Sequence, residues 1–254
     1  MNMSEASTIP AATESGERET KAARRTTVAL LLPVLNEIDG LQATLPFIDR
    51  ELFEEVLIVD GGSTDGSVEY ARSLGFPVAR QRRPGLAWAV FDAVRALHSD
   101  AVIEFSPDGN CPVEILPAVV GRLREGYDLV VVSRYLPPAR SEDDNPITAF
   151  GNWMFTRMIR WLGRFPITDA LTIYRGFRRS IVFAPDFERC LRGPVFEPLV
   201  SAVCNLHGLK ICEIPGDEPR RIGGASKMRV VYNGSCILLM VARMYMRKLL
   251  GLRV

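Results

Sequence analysis

The chain has 254 residues, 47% of them hydrophobic, and a formal net charge of +1. Length and apolar content suit one large α/β domain with appendages. The near-neutral charge gives no global field for nucleic acid, so no nucleic acid partner is expected.

Residues 1–25 are rich in Ser, Thr, Ala and Glu and lack apolar periodicity, which reads as a disordered tail with no signal peptide. Strand-like runs then alternate with helical patterns. Thr27–Leu32 reads as a strand and Ile38–Ile48 as a helix. Glu55–Val59 is a second strand, followed by a helix over Ser67–Leu74. A short strand at Pro77–Arg80 precedes a helix over Leu86–Leu97. A fourth strand over Ala101–Phe105 precedes a helix over Val113–Leu123, and Asp128–Val132 is the fifth. These strands are apolar throughout rather than alternating, the pattern of parallel strands buried on both faces. The order predicts a doubly wound, mostly parallel sheet flanked by helices, with right-handed crossovers.

Beyond Ser133 the pattern changes. A polar, Pro-rich loop over 137–144 is long enough to be mobile. Phe150–Leu162 reads as a helix, and Pro166–Arg175 and Leu209–Ile214 as further strands around a helix at Pro198–Leu206. Val231–Leu250 reads as a long C-terminal helix. From Pro219 to Val254 there are eight Lys or Arg residues and no Asp or Glu, which favours an anionic surface or substrate there. The longest apolar stretch in that region falls short of the ~20 residues a membrane span needs. Five cysteines, at 111, 190, 204, 212 and 236, match no zinc spacing and read as reduced, buried thiols of a cytosolic protein. Only His98 and His207 exist, so a His-rich metal site is excluded.

Parallel strands share one carboxyl end, where ligands of open α/β sheets bind. Three loops gather there: Leu32 to Glu37 after the first strand, Asp60 to Gly66 after the second, and Ser106 to Asn110 after the fourth. No G-x-G-x-x-G, Walker A or G-x-S-x-G sequence is present, which argues against dinucleotide binding, P-loop phosphoryl transfer and a nucleophile elbow.

The order of motifs resembles family 2 glycosyltransferases of the GT-A fold, most closely the dolichyl- or polyprenyl-phosphate sugar synthase branch. The resemblance spans about residues 27–230. It is carried by Pro33-x-x-Asn36-Glu37, by Asp60-Gly61-Gly62-Ser63-x-Asp65-Gly66, by Ser133-Arg134-Tyr135, and by Arg221-x-x-Gly224-x-Ser226-Lys227. It implies a GT-A domain over 26–228 with an amphipathic C-terminal helix over 229–254. It also implies a nucleotide-sugar site at Pro33, Asn36, Glu37, Asp60, Gly61, Asp65, Gly85, Ser106 and Asp108. Asp60 would hold the base. Asp65 would either support that loop or cap the helix at Ser67. The family's D-x-D metal motif falls on Ser106-Pro107-Asp108, so Ser replaces the first Asp. Asp108 and Asn110 remain as ligands for Mg²⁺ or Mn²⁺.

An ionised lipid phosphate needs no strong general base, and the cations Arg134, Arg221 and Lys227 suit it. With Asp108 they form the implied catalytic set. Asp169, Glu197 and Ser226 join Arg134, Arg221 and Lys227 on the acceptor side, where Asp169 or Glu197 would contact the sugar or act as base. The implied reaction is an inverting transfer from a nucleoside-diphosphate sugar to a polyprenyl phosphate. It would take place in the cytoplasm or on the cytoplasmic membrane face, with room for a membrane partner protein. The alternatives are a glycosyltransferase using a hydroxyl acceptor and a non-catalytic nucleotide-sugar-binding protein.

Overall fold

The computed structural model describes residues 25–184, 187–223 and 229–251. Residues 1–24 of the expected tail, and Ser226 and Lys227, lie outside them. Seven strands form one sheet in the order β3-β2-β1-β4-β6-β5-β7. They are β1 (Val28–Val34), β2 (Glu55–Asp60), β3 (Val78–Arg80), β4 (Ala101–Glu104), β5 (Leu129–Ser133), β6 (Arg175–Arg178) and β7 (Ile211–Pro215). All neighbours run parallel except β6, which is antiparallel to both β4 and β5.

The helices are α1 (Ile38–Thr44), α2 (Ser67–Ser73), α3 (Leu86–Ala96), α4 (Leu116–Arg124), α5 (Pro146–Leu162), α6 (Phe187–Cys190), α7 (Phe196–Leu206) and α8 (Val230–Leu249). The sheet separates two cores. On one face Leu30, Leu32 and Ile103 pack against Leu41 of α1, Ala71 of α2 and Val119 and Leu123 of α4. On the other, Leu31, Val102 and Val131 meet residues of α3, α5, α7 and α8. Two-sided burial is why these strands read as continuous apolar runs.

The expected mostly parallel sheet is present, with the antiparallel β6 lying between β4 and β5. One expectation is corrected in detail. The strand expected over Pro166–Arg175 is irregular up to Tyr174, and pairing starts only at Arg175. Carboxylates replace the ladder there. Glu213 accepts from the Thr168 and Asp169 N–H groups, and Asp169 Oδ1 accepts from the Leu171 and Thr172 N–H groups. Such side-chain bonds offer the backbone an alternative to sheet pairing.

Helix α5 starts four residues earlier than apolar spacing suggests. Asn145 accepts from the Ile147 and Thr148 N–H groups, Thr148 accepts from the Asn145 N–H, and Pro146 occupies the first turn. The polar loop over 137–144 is tied down: Ser141 bridges to Glu218, and the Arg140 N–H donates to Asp217 at 2.8 Å. Among the described residues no helix is long and apolar enough to cross a membrane.

Candidate active site

The first two loops are stitched into one wall. Asn36 takes a left-handed conformation, φ 54°. Its Oδ1 accepts from the Thr64 N–H at 2.8 Å, and its own N–H donates to Ser63 Oγ at 2.9 Å. The Gly61 N–H reaches back to the Val34 carbonyl beside half-buried Pro33, at 2.7 Å. Asp60, at the end of β2, is buried and accepts from the Gly62 and Ser63 N–H groups, which folds the turn.

Asp65 ties the start of α2 to that of α1, while Gly66 stands at the N-cap position of α2. One oxygen accepts from the Ser67 N–H and hydroxyl at the start of α2, and the other from the Ile38 N–H of α1. Burial pushes its carboxyl up, but these hydrogen bonds outweigh that and hold it below the usual range. The Ser67 hydroxyl also accepts from the Glu37 N–H at 3.0 Å. Gly85 lies exposed ahead of α3 with φ 100° and open space where a Cβ would be.

The third loop rides over α1. A Cβ on Gly40 would sit 2.3 Å from the Pro107 carbonyl oxygen, so only glycine lets the loop approach this closely. Here Asp108 and Asn110 are buried and Ser106 is half-buried. The segment after β7 then crosses the same loop. Arg221 Nη2 lies 3.1 Å from Asp108 Oδ2, and the Ile222 N–H donates to the Asp108 carbonyl at 2.7 Å. Ile222 packs on Gly109, where a Cβ would come within 2.6 Å of it. Arg221 and Ile222, at the start of the Arg221-x-x-Gly224-x-Ser226-Lys227 motif, therefore dock on Asp108.

Among the described residues no group of three His, Cys, Asp or Glu side chains could hold a metal by itself. The donor set still fits a hard divalent cation of restricted kind. Asp108 is one carboxylate on a loop that also carries Ser106 and Asn110, whose Oδ1 accepts from the Cys111 thiol, and Mg²⁺-type ions commonly take one or two carboxylates plus substrate phosphates.

Arg134 follows β5 and is largely buried. Its Nε and Nη2 grip the Asp169 carboxylate at 2.7 and 3.1 Å, and its Nη1 reaches Glu218 at 3.2 Å. Burial pushes Asp169 up, yet the facing guanidinium holds it below the usual range. Burial raises Glu218, and Arg134 only partly offsets this. The fork of Arg134 is thus directed at protein carboxylates.

Glu197 belongs to a cluster that sequence reasoning missed. Glu104 ends β4, two residues before Ser106, and is fully buried like Arg175 on the adjoining strand. Arg175 donates to the Glu197 carbonyl and the Ser201 hydroxyl, both at 2.7 Å, and to the Thr172 carbonyl at 2.8 Å. The Glu104 carboxyl meets the Glu197 carboxyl, and among the described residues no N–H or hydroxyl donor reaches either of its oxygens. Burial, then the neighbouring Glu197, push the Glu104 carboxyl well above its ordinary value, against a pull from Arg175. Burial likewise raises Glu197, and it lowers Arg175. Burial thus works against charge on both carboxyls, and the Arg175 guanidinium works for it. A Glu inside Ala101-Val-Ile-Glu104-Phe105 was the available signal, since a strand buried on both faces holds an acid only with a partner.

The fold and this loop arrangement define a glycosyltransferase of the GT-A type, and comparison with known proteins specifies the family. The model of glycosyl transferase family 2 matches residues 30–183, and the chain belongs to that family. Glycosyltransferase AglJ of Haloferax volcanii is 28% identical over 218 residues, covering 85% of this chain and 71% of the relative. The dolichyl-phosphate hexose transferase of the same organism is 29% identical, covering 77% of this chain and 84% of the relative. Among solved structures, glucosyl-3-phosphoglycerate synthase from Mycobacterium tuberculosis, in complex with Mn²⁺, UDP-glucose and glycerol 3-phosphate, superposes with a TM-score of 0.64. The identity is 20%, with 87% of this chain and 80% of that one covered.

Proposed function

We propose that this glycosyltransferase moves a sugar, with inversion, from a nucleoside-diphosphate sugar to a polyprenyl phosphate. The observation that carries the reading is the 3.1 Å contact between Arg221 and Asp108. It brings the motif of the polyprenyl-phosphate branch onto the donor loop, so that donor diphosphate and acceptor phosphate would meet beside one cation. The name of the Haloferax hexose transferase supports a lipid phosphate acceptor. The complex of the mycobacterial synthase supports a nucleotide-sugar donor and a divalent metal.

In this reading the stitched wall of Pro33, Asn36, Glu37, Asp60, Gly61 and Asp65 holds the nucleoside, and Gly85 and Ser106 border the diphosphate. When bound at Asp108 and Asn110, Mg²⁺ or Mn²⁺ would supply charge neutralisation for the leaving diphosphate. Arg221 adds a cation where negative charge develops, joined by Lys227 of the same motif. The acceptor arrives ionised, so no residue is asked to remove a proton. Arg134 and Asp169 shape the acceptor side as a locked pair, and Glu197 does so through Arg175. A lipid acceptor places the enzyme at the cytoplasmic membrane face, as a peripheral protein or with a membrane partner.

The test is incubation with UDP-, GDP- and dTDP-sugars, Mg²⁺ or Mn²⁺, and a polyprenyl phosphate. Formation of lipid-linked sugar is the expected result. Nucleotide release only with a hydroxyl acceptor would overturn the lipid assignment, and binding without turnover across the panel would overturn catalysis.

A further inference from the structure

Helix α5 buries Asn152, Phe155, Thr156, Ile159 and Leu162 against the rest of the molecule. Its opposite stripe falls at 150, 153, 157, 160 and 161, positions that share one helical face, and Arg164 follows just past the helix end. Phe150, Trp153 and Trp161 are 60%, 57% and 63% exposed. Arg157 bridges the two indoles, its guanidinium 6.0 Å from the Trp153 centroid and 5.7 Å from that of Trp161. Arg157, Arg160 and Arg164, all exposed, line a surface cleft of about 250 Å³ with Trp161, Phe165 and Pro166.

Charge is one-sided here. No Asp or Glu occurs between Asn145 and Asp169, and none of the three arginines forms an ion pair among the described residues. Helix α8 lies alongside: Tyr245 donates its hydroxyl to the Met158 carbonyl at 2.8 Å, and Lys248 donates to the Leu162 carbonyl at 2.7 Å. It adds exposed Arg243, Leu239, Met246 and Leu249, again without an acid. The acids Glu142, Asp143 and Asp144 sit at the far, N-terminal end of α5. A favourable interaction with the helix dipole accounts for a cation in the last turn. It accounts neither for two exposed indoles nor for Arg157 in mid-helix.

We propose that the outer face of α5 and the turn after it, from Trp153 to Arg164, docks on an anionic phospholipid bilayer. Trp153 and Trp161 enter the headgroup zone, where an amphipathic ring is favoured, and Arg157, Arg160 and Arg164 engage lipid phosphates. The proposal deepens the lipid-acceptor reading and draws its purpose from it, while using residues that reading leaves idle. Exposed Leu239, Met246 and Leu249 of α8 widen the contact.

The test is cosedimentation with vesicles of phosphatidylcholine alone, or mixed with phosphatidylglycerol, for wild type, the triple variant Arg157→Glu/Arg160→Glu/Arg164→Glu, and the pair Trp153→Ser/Trp161→Ser. Wild type should bind the mixed vesicles and lose them at high salt. Each cation near an anionic surface carries a similar increment, so the triple reversal should weaken binding about a hundredfold. The Trp pair should weaken it as well. Unchanged circular dichroism would show that these exposed substitutions leave the fold intact. Equal binding by wild type and triple variant, or no wild-type binding, overturns the proposal. So does a shift from dimer to monomer in the triple variant without vesicle binding by wild type, which would make this face a self-contact. Transfer to a short, water-soluble prenyl phosphate separates the two readings. The triple variant should retain it. Vesicle binding by wild type without transfer to any prenyl phosphate would sink the acceptor reading and leave the docking face standing.

Discussion

At the residue scale, charge compensation governs the site. Arg221 faces Asp108, and Asp108→Ala is expected to lower kcat by at least about a hundredfold, the usual cost of removing one group that stabilises developing charge. Near-wild-type turnover in a sugar-transfer assay would remove the metal assignment. Arg134→Ala should destabilise the fold by about 3–5 kcal/mol, because Asp169 would stay buried without its counter-charge. Adding Asp169→Asn should recover much of that loss in a urea titration. A stability unmoved by Arg134→Ala would mean that the fork is free for substrate.

Glu104 and Asp169 respond to pH with opposite sign. The folded state holds Asp169 low, so its contribution is present above the unfolded value and is lost as pH falls. Burial holds Glu104 high, so the folded state favours its protonated form. Its stabilising share is complete below the unfolded value of 4.5 and drains away as pH climbs toward the raised folded value. Glu104→Gln keeps the shape and removes the titration. The variant's Tm should therefore exceed wild type increasingly as pH rises above the unfolded value of 4.5. Parallel Tm curves over that range would show that Glu104 is ionised and compensated.

At the element scale, close approach is the controlling feature. Gly40→Ala gains up to about 1 kcal/mol of helix propensity in isolation. Against this, the new Cβ would lie 2.3 Å from the Pro107 carbonyl oxygen, a backbone atom that must move. Overpacking of this kind typically costs about 1–3 kcal/mol, so the clash wins. Both Tm and transfer activity should drop, because the displaced loop carries Asp108. A rise in Tm would show that the loop yields at no cost. The same scale explains the sequence's errors. Apolar periodicity found the parallel strands and most helices, since two-sided burial and a single buried face leave direct signatures. It placed a strand over Pro166–Arg175 because it cannot see Glu213 and Asp169 taking up that segment's N–H groups from 45 and 2 residues away. It started α5 late because the signal there is the Asn145-Pro146 cap rather than hydrophobicity.

At the scale of the whole molecule, the cysteines test the compartment and the core together. Cys111, Cys190 and Cys204 are buried, and burial pushes the thiols of Cys111 and Cys204 up. Cys212, half-buried, is raised to about 11. A thiol reagent at neutral pH should label Cys111, Cys190 and Cys204 only after denaturation, while a reductant leaves Tm unchanged. Rapid native labelling of Cys204 would show that the α7 face opens.

The sequence alone determined the parallel α/β architecture, the three carboxyl-end loops and the family motifs, because each is written in local spacing or residue type. Only the tertiary structure decided which charges meet. Arg221 reaches Asp108 across 113 positions, and Arg134 closes on Asp169 and Glu218. Glu104 acquires Arg175 and Glu197 once β6 returns antiparallel between β4 and β5. Electrostatic partners depend on distance in space, and a chain of this length leaves that distance open until the sheet order is set.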